Sequence, residues 1–144
     1  MKKTLLLLTG LMILILSSCG KKGCADMDAT NYNSKIKPKN SCNCVYEGNV
    51  VFWYNQTTAN LLLDDGATSL TYYVDGEIIG SSACNTYWTG VPSCGQNGSI
   101  TVTKDLGSVK NKTYSYSVKD QTGFEYWNGI VNFTANTCQS VELN

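Results

Sequence analysis

Seven cysteines and no histidine set the chemistry open to this 144-residue chain. The cysteines stand at positions 19, 24, 42, 44, 84, 94 and 138, and they can form disulfides, hold zinc or act as nucleophiles. Without histidine the chain lacks the usual general base, the partner that activates serine or cysteine, and the commonest metal ligand. Catalysis would have to rest on carboxylates, lysine or tyrosine. Asp64-Asp65 is the one adjacent carboxylate pair. Glycosidic chemistry needs two carboxyls facing each other across about 5 to 10 Å, not two sequence neighbours, and Asp64-Asp65-Gly66 reads as an ordinary turn. Zinc is disfavoured because Cys42 and Cys44 are separated by one residue rather than the usual two. No catalytic residue, metal site or cofactor is therefore expected.

The elements that must position these groups begin with an export signal. Lys2 and Lys3 open the chain, Leu5 to Leu16 is apolar apart from Thr9 and Gly10, and small residues follow. Leu16-Ser17-Ser18-Cys19 resembles the lipobox of bacterial lipoproteins. The resemblance implies that residues 1–18 are a cleaved lipoprotein signal peptide, that the Cys19 thiol receives diacylglycerol, and that the freed amine takes a further acyl chain such as palmitate. Each buried methylene is worth about 0.8 kcal/mol, and more than one chain makes release slow. The expectation is a cell-envelope protein whose membrane partner is engaged through Cys19. Gly20 stands where many inner-membrane lipoproteins carry a retaining aspartate, which points to the outer membrane.

The cleaved chain would carry nine lysines against eleven acids, with no arginine and no basic stripe, so no nucleic-acid partner is expected. Its charge is uneven. Between Cys19 and Cys44 five lysines face Asp26 and Asp28, whereas beyond Cys44 four lysines face nine acids. The basic part could rest on anionic headgroups, at about 1 kcal/mol per lysine, or serve as a solvated spacer.

If Cys19 carries lipid, six cysteines remain, and even parity suits three bridges in an exported chain. Gly23, Cys24, Asp26, Ala29, Asn31, Tyr32, Ser41 and Cys42 match a short cysteine-bounded segment that recurs in envelope and extracellular proteins of Bacteroidota. The resemblance implies a Cys24–Cys42 bridge. It also raises calcium, because such segments carry an Asp-Asp-Gly run before the second cysteine. Here Pro38-Lys39-Asn40 replaces that run and Met27 replaces a proline, and calcium wants six to eight oxygens. The expectation is a stapled knob without metal, too small to fold without its bridge. Cys94 could then pair with Cys138 and Cys44 with Cys84; Cys84–Cys94 with Cys44–Cys138 is the competing arrangement.

Beyond Cys44 short apolar and aromatic runs alternate with turn residues, a β texture. Strands are expected at 49–55, in a hairpin over 69–82 turning at Asp75-Gly76, and at 99–105, 112–120, 125–135 and 138–144. Segment 49–55 is apolar on both faces and belongs in a sheet centre. Thr58 to Ser69 holds either a helical turn around Leu61 to Leu63 or an apolar plug for an open edge. The fold class is all-β: a single sandwich of two antiparallel sheets, similar to immunoglobulin or fibronectin type III modules. The expected organisation is signal peptide 1–18, lipidated N-terminus, spacer and knob 19–47, and sandwich 48–144.

Between Cys84 and Cys94, Tyr87 and Trp88 form the candidate binding loop. Exposed aromatics on a braced loop suit a protein or glycan partner, since they offer large contact area at little entropy cost; the alternative is that Trp88 plugs one end of the sandwich. Three functions follow from these residues. The first is a non-catalytic, lipid-anchored envelope protein of structural or binding type; the others are a carbohydrate- or peptide-binding module and, last, a carboxylate-dependent hydrolase.

Overall fold

The computed structural model describes residues 23–41 and 43–144. The segment expected to be a signal peptide, the expected lipid site Cys19 and the basic pair Lys21-Lys22 lie outside the described residues, as does Cys42. The chain forms β1 (Tyr46–Trp53), α1 (Gln56–Asp64), β2 (Ser69–Val74), β3 (Glu77–Ala83), β4 (Ile100–Gly107), β5 (Asn111–Asp120), β6 (Glu125–Thr134) and β7 (Cys138–Glu142). Two sheets result, one ordered β4-β1-β7 and the other β3-β2-β5-β6. This is the all-β sandwich expected from the alternating runs, with one difference in pairing. β7 lies parallel to β1, Asn49 opposite Cys138 and Trp53 opposite Glu142, while the remaining pairs are antiparallel.

Period-two alternation builds the core. Leu70, Tyr72 and Val74 on β2, Val118 on β5, and Val131 and Phe133 on β6 point between the sheets and are buried. Asp75 and Gly76 both take positive φ, 56° and 77°, which is what a two-residue turn between β2 and β3 demands. β1 occupies the centre of its sheet and is buried on both faces: Val50, Phe52 and Tyr54 join the main core, whereas Val51 and Trp53 are buried apart from it. The segment between β3 and β4 is tied to β1 at two places, just past its end and beside its middle. Its Trp88 N–H donates to the Tyr54 carbonyl at 3.0 Å, and its Cys94 is bonded to Cys138, opposite Asn49.

The stretch from Thr58 to Ser69 opens with most of a helix, α1, which ends at Asp64, rather than forming an edge plug. The Asn55 side chain caps α1 by accepting from the Thr58 N–H at 3.1 Å. Ala59 and Leu62 bury one face. At the other end the Gly66 N–H bonds the Leu63 carbonyl and the Ala67 N–H bonds the Leu62 carbonyl, with Gly66 at φ 85°. That is a Schellman cap, sealed by the buried Leu62 and Ala67. Asp64-Asp65-Gly66 is thus the end of a helix.

The knob exists, but its bridge is not the expected one. Cys24 is bonded to Cys44, not to Cys42. Asn31 explains the choice: its amide oxygen accepts from the Val45 N–H at 3.1 Å and its amide nitrogen donates to the Asn43 carbonyl at 2.6 Å, which lays the knob along residues 43–45. Cys24 is fully buried and Cys44 packs against the same core. Lys110, in the β4–β5 connection, reaches Asp26 and Asp28 at 2.7 Å each, and the Tyr46 hydroxyl donates to Asp26 at 3.0 Å. The knob is therefore fastened to the sandwich, whose first strand starts at Tyr46, two residues before the expected boundary.

Candidate functional site

The Cys44–Cys84 pairing is also corrected, since Cys44 is taken by Cys24 and Cys84 is a free, buried thiol. Cys84 sits at the end of β3, where the chain turns under the Tyr54 hydroxyl; that hydroxyl donates to the Ala83 carbonyl at 3.1 Å. A strand end packed this way keeps the thiol out of reach of the knob. With Cys84 unpaired, the parity count no longer bears on Cys19. Cys94 is joined to Cys138.

The cysteine-flanked loop keeps Tyr87 at the surface, 40% exposed, and Trp88 half-buried. Its anchoring at two places along β1 makes it a cover for that strand as much as a platform. Of the two candidate aromatics, Tyr87 is the more exposed.

Among the described residues a concave surface lies elsewhere, at the end of the sandwich where α1, the β5–β6 turn and the start of β6 meet. Two adjoining cavities, of about 380 and about 200 Å³, share Asp65 and Tyr126 as walls. Phe124, Gly66 and Asp120 complete the larger; Leu61, Trp127 and Thr58 belong to the smaller. The aromatic wall is continuous. The Phe124 and Tyr126 rings meet edge to face at 5.1 Å, and Tyr126 leans on Trp127 at 5.5 Å. Trp127 is held in place by its Nε1, which donates to the Asn144 carbonyl at 3.1 Å.

The polar groups below this wall shape it. The Gln121 amide oxygen accepts from the Thr68 N–H at 2.9 Å and its amide nitrogen donates to the Gly66 carbonyl at 3.1 Å, stitching the β5–β6 turn to the end of α1. Asp120 closes the turn: one of its oxygens accepts from the Thr122 N–H, the Thr122 hydroxyl and the Phe124 N–H, at 2.8, 2.7 and 2.9 Å. Burial pushes its pKa up, but these hydrogen bonds outweigh burial and hold the carboxyl below the usual range. The Tyr126 phenol is pushed up, by burial first and then by the negative charges of Asp65 and Asp120.

Sequence reasoning placed Trp127 on the inner face of β6, and Trp127 does pack partly against the core. It missed Phe124, Tyr126 and Leu61. The available signal was three aromatics within four residues, Phe124-Glu125-Tyr126-Trp127, directly after Gly123. A second was a helix ending on two acids with no base in its last turn. Among the described residues no group of three or more cysteines and acids is arranged to hold a metal ion.

The class defined here is a disulfide-braced, two-sheet β-sandwich with an aromatic groove at the end opposite its knob. No protein-family model, curated protein or solved structure matches the chain.

Proposed function

We propose that this chain is a non-catalytic binding protein of the cell envelope, lipid-anchored through Cys19. The groove between α1 and the start of β6 carries the reading. Its walls are aromatic and aliphatic, with Leu61 and Phe124 each about three-fifths exposed at 61% and 62%, and exposed apolar surface of this kind, rimmed by polar residues, marks a place where something docks. Hydrolysis by carboxylates is the poorer fit. Asp65 and Asp120 do line one cavity, but a glycosidase pair needs an acid whose pKa is raised, and Asp120 is held ionised by the turn it closes. The export signal and lipobox resemblance supply the location.

Two measurements test this. Mass spectrometry of the mature N-terminus should find an acylated Cys19; a chain starting elsewhere ends the anchoring proposal. A photo-crosslinking amino acid at position 124, in native envelopes, should give adducts that disappear with Tyr126→Ala. The same group at position 87 tests the cysteine-flanked loop, and adducts from position 87 alone would move the site there. If neither position yields an adduct, the binding reading fails.

A further inference from the structure

The groove is built against a local rule. A helix C-terminus carries partial negative charge, so acids there are unfavourable and lysines are the usual occupants. α1 ends on Asp64 and Asp65 with no basic residue in its last turn. No lysine lines either cavity. Lys119, the cation nearest in sequence, pairs with Glu125 at 3.7 Å and lies over the Tyr73 ring at 5.7 Å. Among the described residues Asp64, Asp65 and Asp120 enter no ion pair. Places where a chain breaks a local stability rule without compensation are where function is expected.

This charge, which no cation pairs among the described residues, falls on aromatic walls. Asp65 lines both cavities, Asp120 lines the larger, and the Tyr126 ring stands between the cavities with Phe124 at its edge. Aromatic faces attract ammonium and guanidinium groups, and more strongly when the pair is shielded from water. The combination selects a cation on a partly apolar backbone. The two joined cavities give room for more than one side chain, and the second, lined by Leu61, Leu62 and Trp127, is apolar in character.

Building on the binding reading, we propose that the groove docks an extended segment of a partner protein that alternates lysine or arginine with apolar residues. Its cationic side chain sits among Asp65, Asp120 and Tyr126, and the neighbouring apolar side chain lies over Leu61 and Trp127. The charge of the groove specifies the partner: like-charge or neutral segments gain nothing from the acids that destabilise the helix end.

The test titrates the full chain, purified from envelopes in neutral detergent, with the peptide amide Lys-Leu-Lys-Ala-Lys, and follows binding by calorimetry. The glutamate counterpart Glu-Leu-Glu-Ala-Glu and the neutral sugar cellotriose are run beside it. The lysine peptide should bind and the other two should not, and its affinity should fall severalfold between about 50 and about 500 mM salt. Asp65→Asn should weaken it about fivefold while raising the melting temperature, because the substitution relieves the helix end. A purely structural Asp65 would lose stability instead. Tyr126→Ala should weaken binding and Tyr87→Ala should not. Equal binding of the glutamate peptide, binding of cellotriose in place of the peptide, or indifference to Asp65→Asn overturns the proposal. Adducts at position 124 alongside such a failure would leave a binding protein with a different partner.

Discussion

Replacing Gly48 by alanine is the sharpest test of how the two sheets meet. Gly48 lies near the start of β1 and is buried where that strand crosses the end of β6. A Cβ at this position would stand 2.8 Å from the Thr134 carbonyl oxygen, 3.1 Å from the Thr134 nitrogen and 3.2 Å from the Phe133 Cβ. Two of those atoms are backbone and none can rotate away, so β1 and β6 must separate. Overpacking of this kind costs about 1–3 kcal/mol. Alanine recovers about 0.5–1 kcal/mol of backbone entropy relative to glycine in a strand, so the net change runs from near zero to a loss of about 2.5 kcal/mol, centred slightly above 1 kcal/mol. In a domain of this size each kcal/mol lowers the melting temperature by about 4–8 °C. Urea unfolding should show a lower midpoint at unchanged slope. Gly90→Ala is the control, with nothing within 4 Å of its Cβ and no positive φ. Gly129→Ala is intermediate, because its Cβ meets only the half-exposed Tyr116 ring, at 2.9 Å, and that ring can swing. If Gly48→Ala matched Gly90→Ala, the close approach of β1 to β6 would be refuted.

Other expectations are more direct. Cys84 should resist thiol reagents in the native protein and react once the chain is unfolded without reductant, with peptide mapping finding no label on Cys24, Cys44, Cys94 or Cys138; rapid native labelling would show the thiol exposed. Removing the Cys94–Cys138 bridge as a serine pair should cost about 4 kcal/mol on the chain-entropy model for its 44-residue separation, measured by urea unfolding, and a loss near zero would mean that the bridge closes no ordered loop. The hydrogen bond and charge of Lys110 hold the Asp26 carboxyl below its ordinary pKa of 3.8. A depressed acid stabilises above its unfolded pKa and loses that contribution as pH falls through the folded value. Amide protection at Thr30 and Asn33, whose N–H groups hold the knob together, taken as exchange relative to the intrinsic rate at each pH, should therefore be constant from neutral pH to about 4 and fall below it; protection falling already near pH 6 would contradict the Asp26–Lys110–Asp28 cluster.

Much of the sandwich was legible because its strands alternate cleanly. Leu70, Tyr72 and Val74, or Val131 and Phe133, announce an inner face, and Asp75-Gly76 announces a turn, since both residues must take positive φ. The central place of β1 was legible for the same reason, from apolar residues on both faces. What escaped depended on contacts between distant elements. Cys42 and Cys44 are nearly equivalent in sequence, and the hydrogen bonds of Asn31 to Asn43 and Val45, with those of Thr30 to the Val45 carbonyl, lay Cys44 against Cys24. The parallel seat of β7 beside β1 is equally non-local. The groove was hidden because Leu61 and Asp65, neighbours on α1, are far in sequence from Tyr126 and meet it only when α1 caps the sandwich.

The position of the groove also bears on how the protein would work from a membrane. The knob docks on Lys110, just before β5, and the groove is walled by Asp120, at the other end of β5. Ten residues of strand at about 3.4 Å each separate the two ends by about 30 Å. A chain anchored at Cys19 reaches Cys24 through four intervening residues, at most about 14–18 Å when extended, so the knob end must stay close to the lipid. The disulfide and the Lys110 cluster make knob and sandwich one lever, and the groove becomes its far end. Energy transfer from a dye on the sandwich to an acceptor in the bilayer should therefore be strong from position 109, beside the knob, and weak from position 122, beside the groove. Equal transfer from both would mean that the sandwich lies flat on the membrane, and the groove would then be presented to lipid rather than to a partner.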